Sequence, residues 1–119
     1  MAARVTPADT FRHLAERRQQ ARQRSAERAR RLRQCLAGAA ALLRDEYGVT
    51  RVVLFGSLAT GSYSETSDVD LAVEELPSTS YFHALADLMA HFAAPVDLVR
   101  LEEAPKSLRE RIAAEGEPL

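Results

Sequence analysis

The sequence has a single cysteine, no tryptophan, five glycines, five prolines and only 6% aromatic residues in 119 positions. The lone Cys35 can close no internal disulfide, so a disulfide-stapled scaffold is excluded and a reducing, cytoplasmic compartment is the expectation. Long hydrophobic runs are missing too. The longest, Leu36–Leu43 (LAGAAALL), is less than half of the ~20 apolar residues that a membrane-spanning helix needs. The N-terminus carries charge but no apolar signal-peptide core. Aromatic residues are absent between Phe11 and Tyr47, so the Arg-rich stretch there offers bases nothing to stack on, and a nucleic-acid partner is not expected. What remains is one soluble domain: 46% apolar residues suffice for a core, and this length does not suffice for two.

The net charge of −1 conceals a split. Up to Arg33 there are ten arginines against Asp9, Glu16 and Glu27, whereas the rest carries six basic and fourteen acidic residues, so a +7 arm precedes a −8 body. Such asymmetry marks an interaction surface or a solvated helix.

Thr6-Pro7-Ala8-Asp9 reads as a helix start, with Thr6 as cap, Pro7 in the first turn and Asp9 facing the free amides. From there to Tyr47 only Gly38 is a breaker, and Gly48 supplies the stop, which predicts one helix or two nearly collinear ones. Leu32, Leu36, Ala39, Ala40, Leu43 and Tyr47 form its core stripe. Between Glu16 and Arg31 the apolar residues are Ala21, Ala26 and Ala29 alone, so that stretch is expected to project, fray or bind something. Strands are predicted over Arg51–Phe55 (RVVLF), Asp68–Val73 (DVDLAV) and Pro95–Val99 (PVDLV). A helix capped by Ser78 or Ser80 runs to about Phe92 with Phe82, Leu85, Leu88, Met89 and Phe92 on one face, and a last helix covers Lys106 to about Glu115. The fold class is α/β (α+β): a small mixed sheet flanked by helices, with residues 1–47 as an Arg-rich helical arm and 48–119 as the compact domain.

Three aspartates occupy unusual places. Asp68 and Asp70 are two apart in a strand, so their side chains leave the same face while Val69, Leu71 and Val73 point to the other. Side by side they repel, unless one is protonated or a cation sits between them. Asp97 lies within an apolar strand, where a charge is expensive unless paired or metal-bound. If its strand neighbours that of Asp68, three carboxylates converge, and such hard oxygen ligands suit Mg²⁺ or Mn²⁺. Gly56-Ser57, at the end of a buried strand, allows close backbone approach and offers amides and a hydroxyl to phosphate oxygens. Carboxylate-bound metals facing a phosphate cradle are the parts of two-metal phosphoryl or nucleotidyl transfer.

The stretch GSLATGSYSETSDVDLAV, Gly-Ser then ten residues then Asp-x-Asp, with a third Asp in the next strand, resembles the polymerase-beta-type nucleotidyltransferase superfamily. The small size and the ending PVDLVRLEEAPKSLRERI resemble its minimal nucleotidyltransferase (MNT) branch, which includes antitoxins paired with HEPN-domain ribonuclease toxins. The resemblance covers about Val49 to Gly116. It implies that Gly56 and Ser57 contact the β- and γ-phosphates of ATP or another nucleoside triphosphate, and that Asp68, Asp70 and Asp97 bind two Mg²⁺ ions. Asp97 would also help deprotonate an acceptor hydroxyl. The implied function is transfer of a nucleoside monophosphate, AMP in the first instance, to a hydroxyl of a HEPN-domain toxin. Many relatives read Gly-Ser-x-Ala-Arg-Gly, whereas here Thr60 stands in place of that arginine. An inactive nucleotidyltransferase-like module that neutralises its partner by binding is therefore the first alternative. Transfer to a small molecule is the second, disfavoured because so short a chain cannot enclose both substrates.

The remaining polar residues have plainer readings. His13, His83 and His91 lack metal-ligand spacing and are assigned to helix surfaces, Cys35 to packing, and Lys106, Arg109 and Arg111 to solvent, with a phosphate or partner contact as the alternative for these three. Tyr63 and Tyr81 are read as loop and helix surface residues. The arm is a docking element for the partner or for a second copy of the chain.

Overall fold

The computed structural model describes residues 6–119. Thr6 opens the first helix as the sequence predicts: its hydroxyl accepts from the Asp9 amide at 3.1 Å, and the Asp9 carboxylate accepts from the Thr6 amide at 3.3 Å. Helix α1 (Pro7–Gln34) is followed after one residue by α2 (Leu36–Tyr47), which Gly48 ends in the left-handed conformation. The interruption falls at Cys35 rather than at Gly38. His91 Nε2 donates to the Cys35 carbonyl at 2.9 Å, and a Cβ at Gly38 would lie 2.8 Å from the His91 ring. Gly38 thus serves close packing of the histidine and leaves the helix intact.

Four strands follow: β1 (Arg51–Phe55), β2 (Val69–Glu74), β3 (Val96–Arg100) and β4 (Glu117–Pro118). They lie in the order β3-β2-β1-β4, with β1 antiparallel to both β2 and β4, and β2 parallel to β3. A short helix α3 (Gly56–Thr60) leaves β1, α4 (Tyr81–Phe92) makes the crossover from β2 to β3, and α5 (Lys106–Glu115) precedes β4. The mixed α+β class is as predicted. The two residues of β4 carry no alternation that could announce them. They join the sheet through tertiary contact alone, with the Leu119 amide donating to Val52 O at 2.9 Å and Gly116 too close to Val53 to admit a side chain.

The sheet separates two apolar layers. On one side Val52, Leu54, Val69, Leu71, Val73 and Leu98 pack against Leu32 of α1, the Leu36/Ala39/Ala40/Leu43 stripe of α2 and Ala84, Leu88 and Phe92 of α4. On the other, Val53, Phe55 and Ala72 meet Leu101 with Leu108 and Ile112 of α5. Helix α4 departs from the predicted face: Ala84, Leu88 and Phe92 are buried, whereas Phe82 is 80% exposed and Met89 is exposed too. The Tyr81 hydroxyl, donating to Leu98 O at 2.5 Å, fixes the rotation of the first turn and turns Phe82 outward.

The arm packs further than its composition suggests. The described residues extend 67 × 29 × 20 Å, and Phe11 on the first half of α1 is 73% exposed, so that half projects. From Ala21 onward, however, arginines as well as Ala29 and the buried Leu32 tie α1 to the body. Arg24 and Arg28 reach the loop after α3, Arg31 donates to Phe92 O at 3.1 Å, and Arg33 to Leu58 O at 3.0 Å.

Candidate active site

The parallel register places Asp70 directly opposite Asp97, and the antiparallel register places Asp70 opposite Phe55, the residue before Gly56. Three sequence-predicted positions thereby meet at one end of the sheet, on the face covered by α5. Asp68 lies one residue ahead of β2 rather than within it, in the extended run whose Val69 amide donates to Pro95 O at 3.1 Å. Asp70 is half-buried, while Asp68 and Asp97 are exposed. The cost anticipated for a charge inside the Asp97 strand does not arise, because β3 is an edge strand and its Asp97 faces solvent.

Gly56 makes the tightest contact of the group. Its φ of 73° is left-handed, and a Cβ built there would stand 2.1 Å from Asp70 Oδ2. Any side chain would expel the carboxylate. Helix α3 begins at Gly56 with no side-chain cap, and Ser57 follows half-buried, so backbone amides and a hydroxyl adjoin the acidic group.

Electrostatically the aspartates act on one another. Burial, then the charge of Asp97, then that of Asp68 push the Asp70 carboxyl up to about 6, and Arg111 works in the opposite direction. Among the described residues no three His, Cys, Asp or Glu side chains stand close enough to form a ready-made metal site. The three aspartates are therefore neighbours within Coulomb range, short of the convergence that the sequence suggests. Their chemistry still fits a divalent cation: hard oxygens on adjacent strands, one beside a glycine, under a repulsion that a cation relieves.

The model of the polymerase beta nucleotidyltransferase family matches residues 39–119. The chain belongs to this family. It is 38% identical over 60 residues, 48% of this chain and 70% of the relative, to "Putative protein adenylyltransferase MJ1215" of Methanocaldococcus jannaschii. A crystal structure of a toxin-antitoxin with AMP-PNP is similar at 29% identity and a TM-score of 0.61, over 66% of this chain and 67% of that one. A structure of the tri-AMPylated Shewanella oneidensis HEPN toxin in complex with an MNT antitoxin shares the fold, at 24% identity and a TM-score of 0.60 over 73% and 70% of the two chains.

The family match begins inside α2, and so α1 lies outside it. In this nucleotidyltransferase the loop between Gly56-Ser57 and Asp68 is held by α1: Arg28 Nε donates to the Tyr63 hydroxyl at 2.7 Å and Arg24 Nε pairs with Glu65 at 2.6 Å. Between α1, α3 and that loop runs a cleft of about 570 Å³, with Arg22, Arg33, Ala29, Thr60 and Tyr63 among its walls. The Tyr63 ring packs on the core and its hydroxyl meets the arm, a role that no local pattern announces. The histidines lie on exposed helix surfaces, as predicted, but two of them work structurally. His91 meets Cys35, and His83 Nδ1 sits 2.8 Å from the Tyr47 hydroxyl. That hydroxyl also donates to Asp87, whose carboxylate pushes the phenol up to about 12. Arg111, assigned to solvent from the sequence, is exposed, and its charge opposes the upward push on the Asp70 carboxyl. Among the described residues no helix is long and apolar enough to cross a membrane.

Proposed function

We propose that this nucleotidyltransferase transfers AMP from ATP to a hydroxyl of a HEPN-type toxin and is the antitoxin of that pair. The observation that carries the reading is the placement of Gly56 against Asp70 with Asp97 in register beside it, which sets a tight glycine turn beside two carboxylates on adjacent strands. The likeness to a toxin-antitoxin with AMP-PNP supports both the nucleotide and the kind of partner.

In this reading Gly56 lets the chain backbone and the Ser57 hydroxyl meet the β- and γ-phosphates. Asp68 and Asp70, with Asp97, hold two Mg²⁺ ions, Mn²⁺ being the alternative. When bound, these cations neutralise charge on the α-phosphate and on the departing pyrophosphate. Asp97, solvent-facing, accepts the proton of the acceptor hydroxyl. The hydroxyl oxygen forms a new ester bond to the α-phosphorus, the bond from that phosphorus to the β-bridging oxygen breaks, and pyrophosphate leaves. The acidic end of the sheet lies open to solvent, which suits an acceptor brought on another protein.

The test combines the protein, Mg²⁺, labelled ATP and the toxin encoded beside its gene. Label should move to the toxin with wild type and not with Asp68→Ala/Asp70→Ala. No transfer by wild type, or equal transfer by the double variant, overturns the reading. A second reading, neutralisation by binding alone, is favoured by Thr60 in place of the arginine of many relatives. It predicts that the double variant still silences the toxin.

A further inference from the structure

Helix α5 sits over the face of the sheet that carries Asp70 and Asp97, and its two arginines diverge. Leu108 and Ile112 pack down onto Val53, Phe55 and Ala72, which sets the helix rotation. At 100° per residue Arg109 then lies on one flank and Arg111 on the other, about 160° away. The flank of Arg109 is identified by its neighbours: with Ile112 and Ala113 it lines a cleft shared with Arg51, Glu74 and Glu102. Arg51 and Glu74 pair at the opposite end of the β1–β2 ladder from Phe55 and Asp70. Arg111 is consequently turned toward the carboxylate end. There α5 also contacts α3, the helix that begins with Gly56-Ser57.

The seat of α5 is rigid. The Gly116 amide donates to Ile112 O at 2.7 Å, and a Cβ at Gly116 would lie 2.5 Å from Val53 Cγ1, so the end of the helix is pressed onto β1. Arg111 itself is exposed and makes no ion pair or hydrogen bond among the described residues. A cation with five donors and no partner among the described residues thus lies on the flank of α5 toward α3 and the carboxylate end of the sheet.

We propose that Arg111 binds the polyphosphate of the nucleoside triphosphate, supplying positive charge from the α5 flank that faces α3 and Asp70. The proposal rests on the nucleotidyltransferase reading above. Guanidinium donates two parallel N–H bonds to a phosphate, a geometry that an ammonium group does not reproduce.

Binding to ATP, inorganic pyrophosphate and adenosine, each with Mg²⁺, is measured by calorimetry for wild type, Arg111→Gln and Arg111→Lys, with thermal unfolding as a check on folding. Arg111→Gln should weaken ATP and pyrophosphate about ten-fold, as loss of a charge-assisted contact requires, and leave adenosine unchanged. Arg111→Lys should recover part of the loss. Equal ATP affinity in wild type and Arg111→Gln overturns the role of Arg111 while leaving the wider reading intact. Failure of wild type to bind ATP at all overturns both.

Discussion

The two faces of β2 differ by one residue in sequence and by nearly everything in environment. Val69, Leu71 and Val73 are fully buried against α1, α2 and α4, in the larger apolar layer. Asp70 and Ala72 look the other way, toward α5, where the apolar cover is small and stops short of the carboxylate. One face carries only packing, whereas the other divides its strand between a small apolar layer and the carboxylate end. The lesson is that this small domain sets its site at the rim of its second core layer, away from the larger one, without needing a second domain.

That division is broken most severely, by the expectation drawn from the proposed reaction, through Asp68→Ala/Asp70→Ala. Transfer to the toxin should fall by at least about a thousand-fold while the thermal midpoint stays near wild type or rises, since the side chains removed support no packing. Loss of folding together with activity would show that the two faces are not separable. On the opposite face, Leu71→Ala should cost about 3 kcal/mol in denaturant unfolding, with activity following the folded fraction. Gly56→Ala joins the two faces: strain at a φ of 73° and the clash with Asp70 should cost about 1–2 kcal/mol and sharply reduce nucleotide binding.

A smaller effect sharpens the comparison through pH. Asp70 is pushed up to about 6 from an ordinary value of 3.8, so the folded state holds a proton more tightly than the unfolded chain does. Its contribution is favourable below about pH 4 and is lost as pH rises through about 6. At pH 7 the ionised group is a burden on the metal-free fold. Asp70→Asn should therefore raise the stability of metal-free protein at pH 7 by about 1 kcal/mol, once solvent screening of a half-exposed group is allowed for. It should also flatten the pH dependence between 4 and 6, and remove most of any stabilisation by Mg²⁺. The smallest effect belongs to the projecting half of the arm. Deleting the residues before Ala21 should change stability by no more than about 0.5 kcal/mol, whereas Arg28→Ala, which frees Tyr63, should cost about 1 kcal/mol.

Much of this was legible because it depends on local rules. The Thr6 capping box, the buried leucines of α2 and the Gly48 stop follow from helix periodicity and capping. The opposite faces of Asp70 and Leu71 follow from the alternation of a strand. Phe82 and Met89 lie outside the core because two stripes at three-to-four spacing compete on α4, and the packing of Ala84, Leu88 and Phe92 with the Tyr81–Leu98 contact favours the other. The anchoring of the arm is not legible locally because arginines reach carbonyls and a tyrosine far along the chain.

By itself, then, the sequence determined the long helices, the three main strands, the stripe of α2 and the candidate residues Gly56, Ser57, Asp68, Asp70 and Asp97, all of which depend on neighbours a few positions away. Only the tertiary structure decided that Asp70 stands opposite Asp97, that Gly56 abuts the Asp70 carboxylate, that Glu117 and Pro118 pair with β1, and which way Arg111 is turned. Strand order, register and helix rotation are set by which surfaces bury the most apolar area together, and that depends on the whole chain at once.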